Sequence, residues 1–395
     1  MNRTKNSDQA TVVVWGLLAS MPFGGMIWQV FHYMEGLRRL GFDVWYVEDS
    51  ENPCMHPQTW ERVGYYHDTV RFLDQVMKRF DFRDRWVFRP PGLENECLGA
   101  LDLDGLHALY EQSEVVFNLC GANRVRPEHA TIKRLALLQT DPVAPQIDNA
   151  AGNERSIQYH ARHGYHFTYA ENIGTAQCLI PDDPFEWIPT RPPIVTDWWT
   201  PDKPPVQPAR MTTIANWDTK GKDAQWKGQN LRWDKSLEFQ KLIDTPSRSP
   251  LRLELSLSRI TDGDRQMLEQ HGWLIDDAKK LSDGDRYREY IMGSLGEFTV
   301  AKEQYVLSRS GWFSDRSACY LAAGRPVITQ DTGFGDVIPE GMGLLSFSDA
   351  EEAVEAIKAV HADYEAHARA ALELSREYFE AETVMGDVMR HLGLL

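Results

Sequence analysis

The sequence predicts an α/β chain built as two domains of alternating strands and helices. Three observations carry this. Short, continuous apolar runs recur along both halves, each fit for a buried parallel strand and most followed by residues at helical spacing. Between Pro181 and Pro208 the composition shifts to proline. The 395 residues suffice for two domains of ordinary size. The expected division is residues 1–190, residues 191–382, and a tail over 383–395.

In the first half, Val12 to Leu18 reads as the first buried strand. Met21-Pro-Phe-Gly-Gly25 is a tight loop, and Ile27 to Leu40 has helical spacing that stops at Gly41. Asp43 to Val47 is the second strand, ending in Glu48-Asp49, so the chain opens on a βαβ unit with a glycine loop. Further strands are predicted at Val115–Leu119, Leu135–Gln139 and Phe167–Ala170, with helices over 57–79 and 145–163. The prolines of 180–208 remove backbone donors and fix φ, which predicts an extended linker.

The second half repeats the alternation. Met211–Ala215, Leu251–Leu257, Gly272–Ile275 and Leu344–Phe347 read as strands, with a helix near 283–293. Gln304–Leu307 leads into a loop and short helix. Residues 349–361 and 362–379 are long amphipathic helices.

Composition narrows the function classes. Formal net charge is −16, so the basic footprint of non-specific nucleic-acid binding is missing, and nucleic acid is not the expected partner. The five cysteines are scattered, with no Cys-x-x-Cys pair, which argues against a zinc site or disulfide framework and for reduced thiols in the cytoplasm. The run after Thr11 is too short to span a membrane. His160, His163 and His166 read as a histidine-rich helix end, not a metal site, because a strand begins near His166.

The stretch from Gly311 to Phe334 is the most informative. Ser314 and Asp315 suit a helix start, Gly324 suits its end, and Val327-Ile-Thr329 is a short buried strand followed by Asp331-Thr-Gly-Phe334. A helix start presents free N–H groups and a positive dipole end, which suits phosphate. Arg316 and Ser317 would add a cation and a hydroxyl there. A short helix closing on Ala-Ala-Gly-Arg-Pro-Val-Ile, followed by a Thr-Gly-Phe loop, resembles the donor half of GT-B glycosyltransferases. The resemblance extends over most of the chain and points to a divergent branch near the glycosyltransferase-like proteins related to spore-maturation proteins. It implies two Rossmann-like domains facing a central cleft, a UDP-, TDP- or GDP-linked sugar as co-substrate, no other cofactor and no metal. It also implies a C-terminal tail that crosses back to the first domain. Many retaining members carry a spaced pair of glutamates here. This sequence has Gly311 and Cys319 at those places, so the motif implies no stereochemistry, and Cys319 reads as a packing residue.

The candidate residues follow. On the donor side they are Asn216 and Trp217 after the first strand of the second half, Glu297 for ribose, Lys302 for phosphate, Ser314 to Ser317, and Thr332, Gly333 and Phe334. Trp233-Asp-Lys235 is a weaker candidate, with Lys235 expected at the surface. On the acceptor side they are Gly24, Gly25 and Asp49. Asp141, at a strand's carboxyl edge, and Glu171 are the candidate general bases. Alternatives are a nucleotide-sugar epimerase, a non-catalytic nucleotide- or sugar-binding protein, and a DNA-modifying glycosyltransferase.

Overall fold

The computed structural model describes residues 9–93, 95–201 and 204–395. The first eight residues, and positions 202–203 of the proline-rich joint, lie outside the described residues.

Strands β1 (Thr11–Trp15), β2 (Asp43–Glu48), β3 (Trp86–Phe88), β4 (Leu98–Gly99), β5 (Val115–Leu119), β6 (Leu135–Gln139), β7 (Tyr165–Thr168) and β8 (Ile188–Pro189) form one sheet in the order 4-3-2-1-5-6-7-8. Only the β3–β4 pair is antiparallel. Strands β9 (Arg210–Asn216), β10 (Ala224–Trp226), β11 (Gln229–Leu231), β12 (Arg252–Ser258), β13 (Leu274–Asp277), β14 (Gly296–Thr299), β15 (Val327–Gln330) and β16 (Leu344–Phe347) follow. Six of these make a second, wholly parallel sheet in the order 13-12-9-14-15-16, and β10–β11 is a separate hairpin. In each sheet the strand order turns back beside the first strand, at β1/β5 and β9/β14. Such switch points leave a crevice at the carboxyl ends of the strands.

The apolar runs form these strands because both faces are covered. Val12, Val13, Val14, Val115, Val116 and Phe117 are fully buried. Strand β1 ends earlier than its apolar run, because Leu17 and Leu18 turn into the loop that the Tyr46 hydroxyl and Glu48 hold by its N–H groups. The Gly24–Arg39 helix ends before Gly41, whose φ of +97° is open to glycine at no steric cost.

Several elements differ from expectation. Helix begins at His67 and not at 57, since the segment before it folds as a loop closed by a Met55–Arg62 bridge. The 145–163 helix is two pieces, Ala144–Ala150 and Glu154–His160, parted at Gly152 with φ +80°. Gln304–Leu307 is part of a helix, Glu303–Ser308. The proline-rich joint is packed, not a free linker. Ile194, Val195 and Trp199 within it are fully buried, and Ile194 exchanges backbone bonds with Phe379 and Ala381. Proline fixes the path while the apolar residues between supply the burial.

One apolar cluster runs from β1 and the Gly24–Arg39 helix through Tyr287 and Ile291 to Phe313, Phe334 and Met385. The two sheets therefore meet over a shared core. The C-terminal Ala381–His391 helix lies on the first domain, with Ala381 against Gly36 and His391 edge-on to Phe167.

Candidate active site

The carboxyl ends of the two sheets face each other across a seam, and ionic groups gather there. In the first domain, β6 runs out into Thr140-Asp141-Pro142-Val143. Val143 has φ +88° and ψ −71°, a conformation that a β-branched residue adopts only under strain, of order 1–3 kcal/mol. The Gln139 side-chain amide donates to the Asp141 carbonyl at 2.8 Å, and Gln146 accepts from Val143 N–H at 2.9 Å. This turn sends the Asp141 side chain across the seam.

The second domain supplies its partners. After β9 the chain makes the β10–β11 excursion, which brings Lys222 and Trp233 together; Asp223 accepts from Trp233 N–H at 2.7 Å. Lys302 follows β14 and starts the Glu303–Ser308 helix. Lys222 Nζ donates to Asp141 Oδ2 at 2.7 Å, Lys302 Nζ donates to Oδ1 at 2.8 Å, and Trp233 Nε1 reaches both oxygens at 2.8 and 3.0 Å. Both ammonium groups sit over the Trp233 ring, 4.9 and 4.2 Å from its centroid, within cation–π range. Burial pushes the Asp141 carboxyl up, but the charges of Lys302 and Lys222 outweigh it and hold the group at about 2. Lys302 is held below the usual lysine range, by burial first, with Lys222 adding to it and Asp141 opposing it.

Behind this pair lies Lys235, only 7% exposed, where the sequence suggested a surface lysine. Burial, and then the charges of Arg316 and Lys302, lower its basicity. Lys222, Lys235, Lys302 and Arg316 thus surround two carboxylates, Asp141 and Glu297. The set is rich in positive charge, at the place where an open α/β sheet binds its ligand.

The helix start at Ser314 lies beside this cluster. The Ser314 hydroxyl accepts from Arg316 N–H at 3.2 Å as a cap. Asp315 faces the first domain, where it accepts from Tyr169 OH at 3.1 Å; Tyr169 and Tyr33 share a hydroxyl contact of 2.6 Å. Burial raises the Asp315 carboxyl. Ser317 is buried, and its hydroxyl has no partner.

No family model and no curated protein matches this sequence. Solved structures do resemble the fold. An alpha-glucosyltransferase in complex with UDP and a 13-mer DNA containing a HMU base is 11% identical with a TM-score of 0.61, over 98% of this chain and 99% of that one. Anabaena HepE in complex with UDP and glucose is 10% identical with a TM-score of 0.54, over 98% of this chain and 100% of that one. Sucrose-phosphate synthase from Thermosynechococcus elongatus is 12% identical with a TM-score of 0.52, over 97% of this chain and 99% of that one. The chain has the GT-B fold.

Within the GT-B frame the remaining candidate residues separate into two groups. Glu297 and Arg316 form a buried ion pair directed into the second domain. Arg316 also donates to the Ile214 carbonyl at 2.6 Å and to Thr299 Oγ1 at 3.1 Å, so its guanidinium already has partners within the second domain. Trp217 is a core residue, stacked on Phe239, and its ring meets no crevice. Asn216 accepts from the Ser258 hydroxyl at the end of β9. Thr332 donates to the Trp312 carbonyl at 2.7 Å, and Phe334 packs on Phe313. The Asn172 amide of the first domain donates to the Gly333 carbonyl at 2.9 Å, and Gly311 lies against the same asparagine. This loop is therefore part of the seam.

On the other side, a Cβ on Gly24 would lie 2.5 Å from the Leu281 carbonyl oxygen, so its bareness lets the two domains touch. Gly25 faces the Tyr287 ring. Asp49 is buried under Arg126, with Arg89 at 3.5 Å. Glu171 is held by Arg191 at 2.5 Å through one oxygen; its other oxygen is buried without a partner, and burial raises its carboxyl. The clustered histidines pack on aromatic rings; among the described residues no group of three His, Cys, Asp or Glu is placed to hold a metal. Nor is any described helix long and apolar enough to cross a membrane.

The sequence reading missed Lys222 and underrated Lys235 and Trp233. Lys222 sits in a polar run, Thr219 to Gln229, that carries no period or cap. Two surface cavities, of about 390 and 300 Å³, lie elsewhere, one beside Arg325 and Tyr364 and the other beside Phe185 and Trp187.

Proposed function

We propose that this chain is a glycosyltransferase that moves a sugar from a nucleotide-sugar donor to a small-molecule or glycan acceptor without a bound metal, in the cytoplasm. The observation that carries the reading is the lysine cluster around Trp233 at the carboxyl edge of the second sheet, in a GT-B fold. Nucleotide-sugar transfer needs positive charge where the leaving diphosphate gains negative charge, and preorganised cations there stabilise the transition state most. Lys222 and Lys302, backed by Lys235 and the N–H groups at Ser314–Ser317, are proposed for that role. UDP is the first donor nucleotide to test, since solved structures with this fold contain it.

The acceptor would lie on the first domain, on the loops after β1 and β2, where the Phe23 and Trp60 rings approach within 4.5 Å. An acceptor hydroxyl would give its proton to Asp141, its oxygen would bond to the anomeric carbon, and the sugar–diphosphate bond would break with its electron pair leaving on phosphate. Glu171 is the second candidate base. DNA as acceptor is disfavoured. Arg89, Arg124 and Arg126, near the first crevice, already pair with Asp49, Glu51 and Glu128. We place the protein on a divergent branch beside the spore-maturation-related glycosyltransferase-like proteins.

Calorimetric titration with UDP, TDP and GDP tests the donor site; no heat with any of them rejects it. Incubating labelled UDP-sugar alone and with acceptor mixtures then separates transfer from isomerisation, which would indicate an epimerase, and from mere binding.

A further inference from the structure

Asp141 has an unusual set of partners. All three side-chain donors to its carboxylate come from the opposite domain, and two of them are ammonium groups. One negative charge thus faces two positive ones. Among the described residues, Lys222 and Lys302 have no other ion pair, and Lys235 has none. The cluster is short of anion. A diphosphate would bring two charges and many acceptor oxygens to the same lysines, and charge-assisted bonds of this kind are the strong ones. Asp141 competes with it for them, because one carboxylate oxygen already accepts from each ammonium group.

We propose that Asp141 is a resident counter-anion that stands in the diphosphate position of the nucleotide-free protein, is displaced when the nucleotide binds, and is thereby released toward the acceptor. This rests on the donor-site reading above and adds an order of events to it. While the lysines hold Asp141, its carboxyl stays near 2, too weak a base for a sugar hydroxyl. Once they turn to phosphate, the two charges that depress it are neutralised, and the group returns toward the ordinary carboxylate range. The base would then act only with donor present. Asp141 is 20% exposed, so its carboxylate is not sealed into the seam.

The test is UDP binding, measured in the whole protein. Replacing Asp141 by Asn keeps the shape and removes the competing charge. Calorimetry should show UDP binding about tenfold tighter in Asp141→Asn than in the parent. Equal or weaker binding by a variant with an unchanged unfolding midpoint overturns the inference while leaving the donor site standing. No UDP binding in either protein overturns the donor reading itself. A second measurement needs no variant of Asp141. The Trp233 indole N–H, assigned through Trp233→Phe, should move in the nitrogen–proton spectrum on adding UDP, because its carboxylate acceptor leaves. A resonance that stays in place while UDP binds also overturns the inference.

Discussion

Glu48 makes the stability of the protein depend on pH. Its carboxylate ends β2 and is 1% exposed. It accepts from Ala19 N–H at 2.6 Å, Ser20 N–H at 3.0 Å, the Ser20 hydroxyl at 2.9 Å and the Tyr46 hydroxyl at 2.7 Å. It thus anchors the loop that leads to Gly24. Burial pushes its carboxyl up to about 7 against these opposing hydrogen bonds, from an ordinary value of 4.5. The folded state therefore binds the proton more tightly than the unfolded chain. Its contribution to stability is fully present below pH 4.5 and is lost as pH rises through 7. A rise of about 2.5 pH units corresponds to about 3 kcal/mol. Glu48→Gln cannot titrate, so its stability relative to the parent should improve by about 3 kcal/mol between pH 4.5 and 8. The variant should start about 1–3 kcal/mol less stable at pH 4.5, because its amide turns a donor toward Ser20 N–H. Urea unfolding followed by far-UV circular dichroism at a series of pH values gives both curves. Their difference isolates Glu48, since every other group titrates in both proteins. Parallel curves would show that Glu48 does not take up a proton on folding.

Three further outcomes follow from the same geometry. His32 and His163 are both held at about 3, by burial first, with Arg39 adding for His32 and the neighbouring histidines for His163. A lowered histidine favours the folded state above pH 6.5 and loses that advantage as pH falls toward 3; the two together outweigh the opposing gain from Glu48, so the thermal midpoint should drop between pH 6.5 and 5, and more steeply in Glu48→Gln, where a flat profile would contradict it. Gly24→Ala forces a Cβ to 2.5 Å from the Leu281 carbonyl and should destabilise by about 1–3 kcal/mol in urea unfolding, whereas Gly41→Ala, with nothing near its Cβ, should show only the φ penalty. Arg316→Ala removes the ion-pair partner of buried Glu297 and leaves it the Thr213 hydroxyl and the more distant charge of Lys235, so it should cost about 3 kcal/mol of stability in the same assay; a change below 1 kcal/mol would show that the pair is not closed.

Much of the fold was legible because the buried strands are continuous apolar runs. Val115–Leu119 and Leu135–Gln139 match the observed strands at both ends. Trp86–Phe88 and the two-residue strands are too short to show a period, and their place is set by pairing with distant neighbours. The proline-rich joint misled because local composition reports chain stiffness, not that Trp199 and Ile194 find a core to fill. At the candidate site, Asp141 and Lys302 were legible from position at strand ends. Their pairing across 161 residues was not, since nothing local encodes it. Arg316 and Trp217 stood at the right sequence positions, but packing turned both inward. Lys222 had no local signal at all and joins the site only through the β10–β11 excursion.

Lys222 and Lys302 are proposed here as the diphosphate site of a nucleotide-sugar enzyme. The deciding measurement is UDP titration of the Lys222→Ala/Lys302→Ala double variant beside the parent, with unfolding midpoints compared. Binding weakened by at least about tenfold in a folded variant is the predicted result. An affinity equal to the parent's would contradict it and place the nucleotide elsewhere.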